Sequence, residues 1–162
     1  MRNLLLTLFL AILGITEQPA ALDSYVLRLG DSTTMNGSFS HQALGRMQER
    51  YGARFFWFER DGKAYVVTDA KQIERAAAIV KPQHELGEKQ AALGEKQAAL
   101  GARQAGAWRD DALREQLSRE QEALGREQQK LGAEQERTST RIEQQLSELA
   151  ADCIRKGLAR ND

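Results

Sequence analysis

The stretch Phe55-Phe56-Trp57-Phe58-Glu59-Arg60-Asp61-Gly62-Lys63-Ala64-Tyr65-Val66-Val67-Thr68 decides the fold of the N-terminal half. Aromatic and β-branched residues favour strands, and an Asp-Gly pair between two such runs predicts a β-hairpin closed by a two-residue type I′ turn. The turn sets the register: Arg60 faces Lys63, Glu59 faces Ala64, Phe58 faces Tyr65, Trp57 faces Val66 and Phe56 faces Val67. Side chains alternate across a strand. One face therefore carries Phe56, Phe58, Tyr65 and Val67, and the other Phe55, Trp57, Ala64 and Val66. Both faces are apolar, and both need cover.

Working outward, Tyr25 to Leu29 reads as a strand ended by Gly30-Asp31-Ser32. Thr33-Thr34-Met35 returns as its partner before the turn dipeptide Asn36-Gly37. Ser40 can cap a helix that places Leu44, Met47 and Tyr51 on one side, and Gly52 suits its end. After the hairpin, Asp69 caps a second helix with Gln72 at the capping-box position, running through Ile73, Ala76, Ala77 and Val80. Residues 23–80 thus form a small α+β module of order ββαββα. Its two short helices are expected to cover one face of a four-stranded sheet. The second face is left for the leading edge of the segment beyond residue 80, for loops, or for a partner protein. About 58 residues make a marginal core in any case.

From Lys81-Pro82 the character changes. Leu86-Gly87-Glu88-Lys89-Gln90-Ala91-Ala92 recurs from Leu93 and again from Leu100, and after an interruption at 106–111 the unit returns from Leu124 and Leu131, with Leu117 one period earlier. The period is seven, so this is a heptad repeat over residues 81–141, a long helical, coiled-coil-like rod. Placing leucine at d puts Gln90, Gln97, Gln104, Gln121, Gln128 and Gln135 at a, so half of the seam is an amide that needs a partner wherever it is buried. Gly87, Gly94, Gly101, Gly125 and Gly132 fall at e. Each costs about 0.8–1 kcal/mol relative to alanine, roughly 4–5 kcal/mol together. A glycine strip that lets a second helix approach closely is one reason for the pattern. Tandem duplication of a solvated helix is the other.

The interruption allows two readings. Leu100 to Leu117 is 17 residues, two heptads plus three, which is a stammer within one helix. Alternatively Gly106 ends one helix and Asp110 or Asp111 caps the next, folding the rod into an antiparallel hairpin. No proline forces a turn, which favours continuity, and a helix over 83–156 would be about 110 Å long. Beyond Arg137-Thr138-Ser139-Thr140 the seam is expected to shift to Ile142, Leu146, Leu149 and Cys153, making residues 142–162 an apolar docking helix and tail. Cys153 is the sole cysteine, so it either bridges two chains side by side or packs as a small apolar residue.

Lys plus Arg and Asp plus Glu both number 23, which leaves no global field to draw the chain onto nucleic acid or anionic lipid. Met1-Arg2-Asn3, the apolar run Leu4 to Ile15 and the polar stretch Thr16 to Ala21 read as an export signal over 1–21, too short to span a bilayer. The expected location is periplasmic or secreted. An uncleaved leader would instead anchor the chain in the inner membrane, the only membrane contact expected. His84-Glu85-Leu86-Gly87-Glu88 begins like a zinc-protease helix, but Glu88 stands where the second histidine belongs. No serine is followed by x-x-Lys, and there is no P-loop. No catalytic, cofactor-binding or metal-binding residue is assigned. The expected function is therefore non-enzymatic, by protein–protein interaction or self-association. The candidate interaction residues are Phe56, Phe58, Tyr65 and Val67 on the sheet, and Leu86, Leu93, Leu100, Leu117, Leu124, Leu131, Leu146 and Leu149 on the rod, with Cys153 as the candidate intermolecular disulfide. The expected partner is a second copy, paired through the helix, or another envelope protein.

Trp57 to Asp69, followed by Glu85-Leu86-Gly87-Glu88-Lys89-Gln90 and its repeats, resembles the extracytoplasmic region of some bacterial BlaR/MecR-type regulatory metallopeptidases. Tyr25-Val26-Leu27, Met35-Asn36-Gly37-Ser38 and Ile154-Arg155-Lys156-Gly157-Leu158-Ala159 are similar to that region as well, so the resemblance covers roughly 24–160. The resemblance implies an envelope location and a sensing or interaction role, such as an accessory regulator of envelope-stress or cell-wall-antibiotic sensing. Without HExxH and Ser-x-x-Lys, it does not imply protease or penicillin-binding activity.

Overall fold

The computed structural model describes residues 21–107 and 110–162, so the leader lies, Ala21 apart, outside the described residues. The elements are β1 (Ser24–Leu29), β2 (Ser32–Asn36), α1 (His41–Tyr51), β3 (Arg54–Arg60), β4 (Lys63–Val67), α2 (Ala70–Gly106), α3 (Asp111–Arg155) and β5 (Ala159–Asn161). The strands form one antiparallel sheet of order β2-β1-β3-β4-β5. The β3–β4 hairpin has the register its turn dictates, Phe56 opposite Val67 through Arg60 opposite Lys63. Asp61 and Gly62 take φ of 54° and 67°, the left-handed pair that a type I′ turn requires. β1 then lies along β3, with Val26 opposite Trp57 and Leu27 opposite Phe56.

The two module helices do not share a face, contrary to the expected arrangement. Ser40 caps α1, its hydroxyl accepting from the Ala43 amide at 3.1 Å. Leu44, Met47 and Tyr51 of α1, with Phe39, then pack on Val26, Phe55, Trp57 and Val66. The opposite face, Tyr25, Leu27, Phe56, Phe58 and Val67, rests on Ile73, Ala76 and Val80 of α2 and on Ile142, Leu146, Leu149, Ala150 and Cys153 of α3. The narrow apolar stripe of α1 suffices for one side, whereas the broader aromatic side takes two helices. Both ends of the rod supply that cover.

The second helix is also not short. Asp69 caps it through the Gln72 amide at 3.0 Å, and it runs without a break through Pro82, so no boundary exists at 81. Proline forfeits one helical hydrogen bond. The turns on either side are fixed by Val80 in the sheet core and Leu86 in the seam.

The expected continuous rod does not form. α2 ends at Gly106, and Asp110 caps α3 by accepting from the Leu113 amide at 3.0 Å, so the helices return antiparallel as a hairpin. The leucine layers close on one another within the chain, a gain that a single 110 Å helix would forgo. At the far end Gly157, with φ of 68°, stops α3 while the Leu158 amide reaches back to the Cys153 carbonyl at 2.9 Å. Ala159–Asn161 then add a fifth strand along β4, an element absent from the expected four-stranded sheet.

Candidate interaction surfaces

Beyond the sheet, the hairpin stands as an arm whose pairs all step by one heptad. Leu86, Leu93 and Leu131 form one buried cluster with Leu124 at its edge, and Leu100, Ala107 and Leu117 form the next. The a-position amides meet in pairs: Gln135 Nε2 donates to Gln90 Oε1 at 2.8 Å, and Gln97 Nε2 donates to Gln128 Oε1 at 2.9 Å. The amide half of the seam is thus paired at these two steps. Three ion pairs line one flank, Lys89–Glu134 at 3.3 Å, Lys96–Glu127 at 3.6 Å and Arg103–Glu120 at 2.6 Å. All six are g positions. The carboxylate of Glu120 is held below its usual range by hydrogen bonds from Gln116 and Arg103.

The seam shifts beyond Thr138, as expected. Thr138, one heptad beyond Leu131, is the last buried d residue of α3, and Gln145 one heptad on is exposed. Ile142 and Leu149 at a and Leu146 and Cys153 at e are buried instead, turned toward the sheet. The e-position glycines form the other flank. Nothing lies within 4 Å of where a Cβ would stand at Gly87, Gly94, Gly101, Gly125 or Gly132. They are not what brings α2 and α3 together.

Most residues singled out as partner-facing are engaged inside the chain. Phe56, Phe58 and Val67 are fully buried beneath α2 and α3, and Tyr65 packs at the edge of that core, stacked on Phe58. Leu86, Leu93, Leu100, Leu117 and Leu131 are buried within the arm, Leu124 is half-buried, and Leu146 and Leu149 lie under the sheet. The aromatic face is therefore not uncovered. Cys153 has no exposed surface, and burial, reinforced by the Asp152 charge, pushes its thiol up to about 11. It does not reach the surface where a second chain could bridge it, because its e position at the foot of the hairpin faces the sheet.

What remains exposed is the outside of the arm. Between the Lys96–Glu127 and Arg103–Glu120 pairs lies a groove of about 400 Å³ floored by Ala99, Leu100, Ala123 and Leu124. Among the described residues no three His, Cys, Asp or Glu side chains gather as metal ligands. His84, from the truncated protease-like motif, instead shares a hydrogen bond with Thr34 of β2 at 3.1 Å. Among the described residues no helix is long and apolar enough to cross a membrane. Comparison with family models, with curated proteins and with solved structures finds no match to this chain.

Proposed function

We propose that this protein is a non-enzymatic envelope protein that acts by presenting its helical arm to another protein. The arm is the observation that supports this reading. The sheet is already roofed by the foot of the hairpin, so the segments beyond Gln83 and before Thr138 add nothing to its core. They form an extended surface in fixed register, and its five glycines cost roughly 4–5 kcal/mol that no contact within the chain recovers. Export rests on the leader-like sequence at 1–21, and N-terminal sequencing of the mature chain tests it.

A paired deletion tests the arm. Removing 94–100 and 125–131 together takes out one heptad from each helix and keeps the remaining layers opposite each other. The shortened protein should fold with unchanged sheet packing. A photo-crosslinking residue at Glu95 should give a discrete adduct with a second protein in the cell envelope, and the same residue at Glu88 should lose that adduct in the shortened chain. No adduct from either position would contradict the proposal. A concentration-dependent adduct of the chain with itself would replace it with self-association.

A further inference from the structure

Away from the arm, the side chain of Asp162 is held by three donors from two elements. Trp57 Nε1 of β3 donates to Oδ2 at 2.8 Å, Arg50 Nη1 donates to Oδ1 at 2.5 Å, and the Tyr51 hydroxyl donates to the same Oδ1. Trp57 is only 6 % exposed, and its indole N–H can donate but not accept. The guanidinium is also donor-only. A buried donor without an acceptor is costly, so this set matches a carboxylate. The backbone continues the match: β4 offers its outer edge to residues 159–161, and the Asp162 amide donates to the Ala64 carbonyl at 3.1 Å. Edge pairing combined with a carboxylate contact is one way sheets recognise extended peptides.

The occupant is short and buries little. β5 has three residues, of which Arg160, whose guanidinium donates to Thr68 Oγ1 at 3.1 Å, and Asn161 are exposed, and only Ala159 meets the core. We propose that the β4 edge and the Arg50–Tyr51–Trp57 donors form a receptor for an extended peptide of another protein that places one aspartate carboxylate among those donors, occupied here by residues 159–162 as an internal competitor. A second copy fits less well. Only Lys156-Gly157-Leu158 separates α3 from β5, and Leu158 packs in the main core, so reaching another chain would require extracting it. An incoming peptide has to take the place of 159–162 along β4 and can leave Leu158 in the core. The site is independent of the arm and stands whatever the arm binds.

The test uses the full chain and its Asp162→Lys variant, whose tail is repelled by Arg50. The probe is a labelled, C-terminally amidated peptide Leu-Ala-Arg-Asn-Asp, followed by fluorescence anisotropy. The variant should bind it at least tenfold more tightly than the unaltered chain. Changing the peptide's last Asp to Asn should remove that gain, as should adding Arg50→Gln, a substitution at an exposed helix end. Adding Trp57→Phe should weaken binding about tenfold, and the Trp57 indole N–H resonance should shift on tail release and return on saturation with peptide. Equal affinity of both chains, indifference to the peptide's Asp, or an Asp162→Lys dimer that the peptide does not dissociate would each overturn the proposal.

Discussion

The foot and the arm of the hairpin are built on one heptad register but with different residues at the same positions. At the foot, the e positions hold Ile73, Val80, Leu146 and Cys153, all fully buried against the sheet. One heptad further out the e positions become Gly87 and Ser139, and two heptads out Gly94 and Gly132, and all four are exposed. The a positions change in step, from Ala76, Ile142 and Leu149 at the foot to paired glutamines in the arm. Where the sheet stops, buried apolar side chains stop at a and e and persist only at d. The repeat therefore supplies pairing along its whole length, while attachment to the module is confined to the foot.

This contrast can be broken at several points. The largest expected effect is at the foot: Leu146→Ala should cost about 4 kcal/mol, because a fully enclosed leucine leaves a cavity that rigid neighbours do not fill, whereas Leu93→Ala in the arm should cost about 2–3 kcal/mol. Urea midpoints of the two variants measure the difference, and equal costs would erase the distinction. Next, replacing Gly87, Gly94 and Gly101 together by alanine should stabilise the hairpin by about 2–3 kcal/mol, since each new methyl enters open space and removes glycine's entropy cost. An unchanged midpoint would show those backbones to be constrained by something other than the helix. If the glycine flank also serves binding, the same variant should lose the envelope adduct while gaining stability.

A smaller effect concerns the clasp on Asp162. Partial burial pushes its carboxyl up, but the Tyr51 and Trp57 hydrogen bonds and the Arg50 charge outweigh this and hold it below the usual range. A lowered folded value means the stabilisation is present above the ordinary carboxylate range and is lost as pH falls through the lowered value. The melting temperature should thus drop more between pH 6 and pH 2 in the unaltered chain than in Asp162→Asn. On the alkaline side Tyr51 is pushed up to about 12 by burial and by its bond to Asp162, so its stabilisation is lost only as pH rises through that value. Tyrosinate absorbance should place Tyr51 nearer 10 in Asp162→Asn, with the part due to burial remaining. The smallest effect is Lys96→Glu, which reverses one exposed pair on the arm. It should cost about 0.5 kcal/mol at low salt and nothing measurable in 1 M salt.

Local chemistry was readable wherever it is self-contained. Asp61-Gly62 dictates its own turn, and the register of ten residues follows from it; Ser40 and Asp69 announce helix starts because their side chains satisfy amides only three residues away. What escaped depends on distant partners. Pro82 looked like a boundary, but tertiary contacts on both sides carry the helix through it. With no proline to force a turn near Asp110, the local sequence favours a stammer; the hairpin wins because the two runs of leucine seal each other. The shift of the seam to Ile142, Leu146, Leu149 and Cys153 was legible from their spacing, whereas Ala159-Arg160-Asn161 has no strand propensity of its own, becoming a strand because β4 has an open edge. Both sheet faces were legible as apolar, but not which helices would cover them.

The central claim is that the repeat pairs with itself inside one chain. Spin labels at Glu88 and Glu136, in a Cys153→Ala background, test it by dipolar distance measurement. The hairpin predicts a separation below about 30 Å, given helix axes about 8–10 Å apart, and it should persist when labelled chains are diluted with unlabelled ones. A continuous helix would place the labels about 70 Å apart. That longer distance, or a short one that disappears on dilution, would contradict the account.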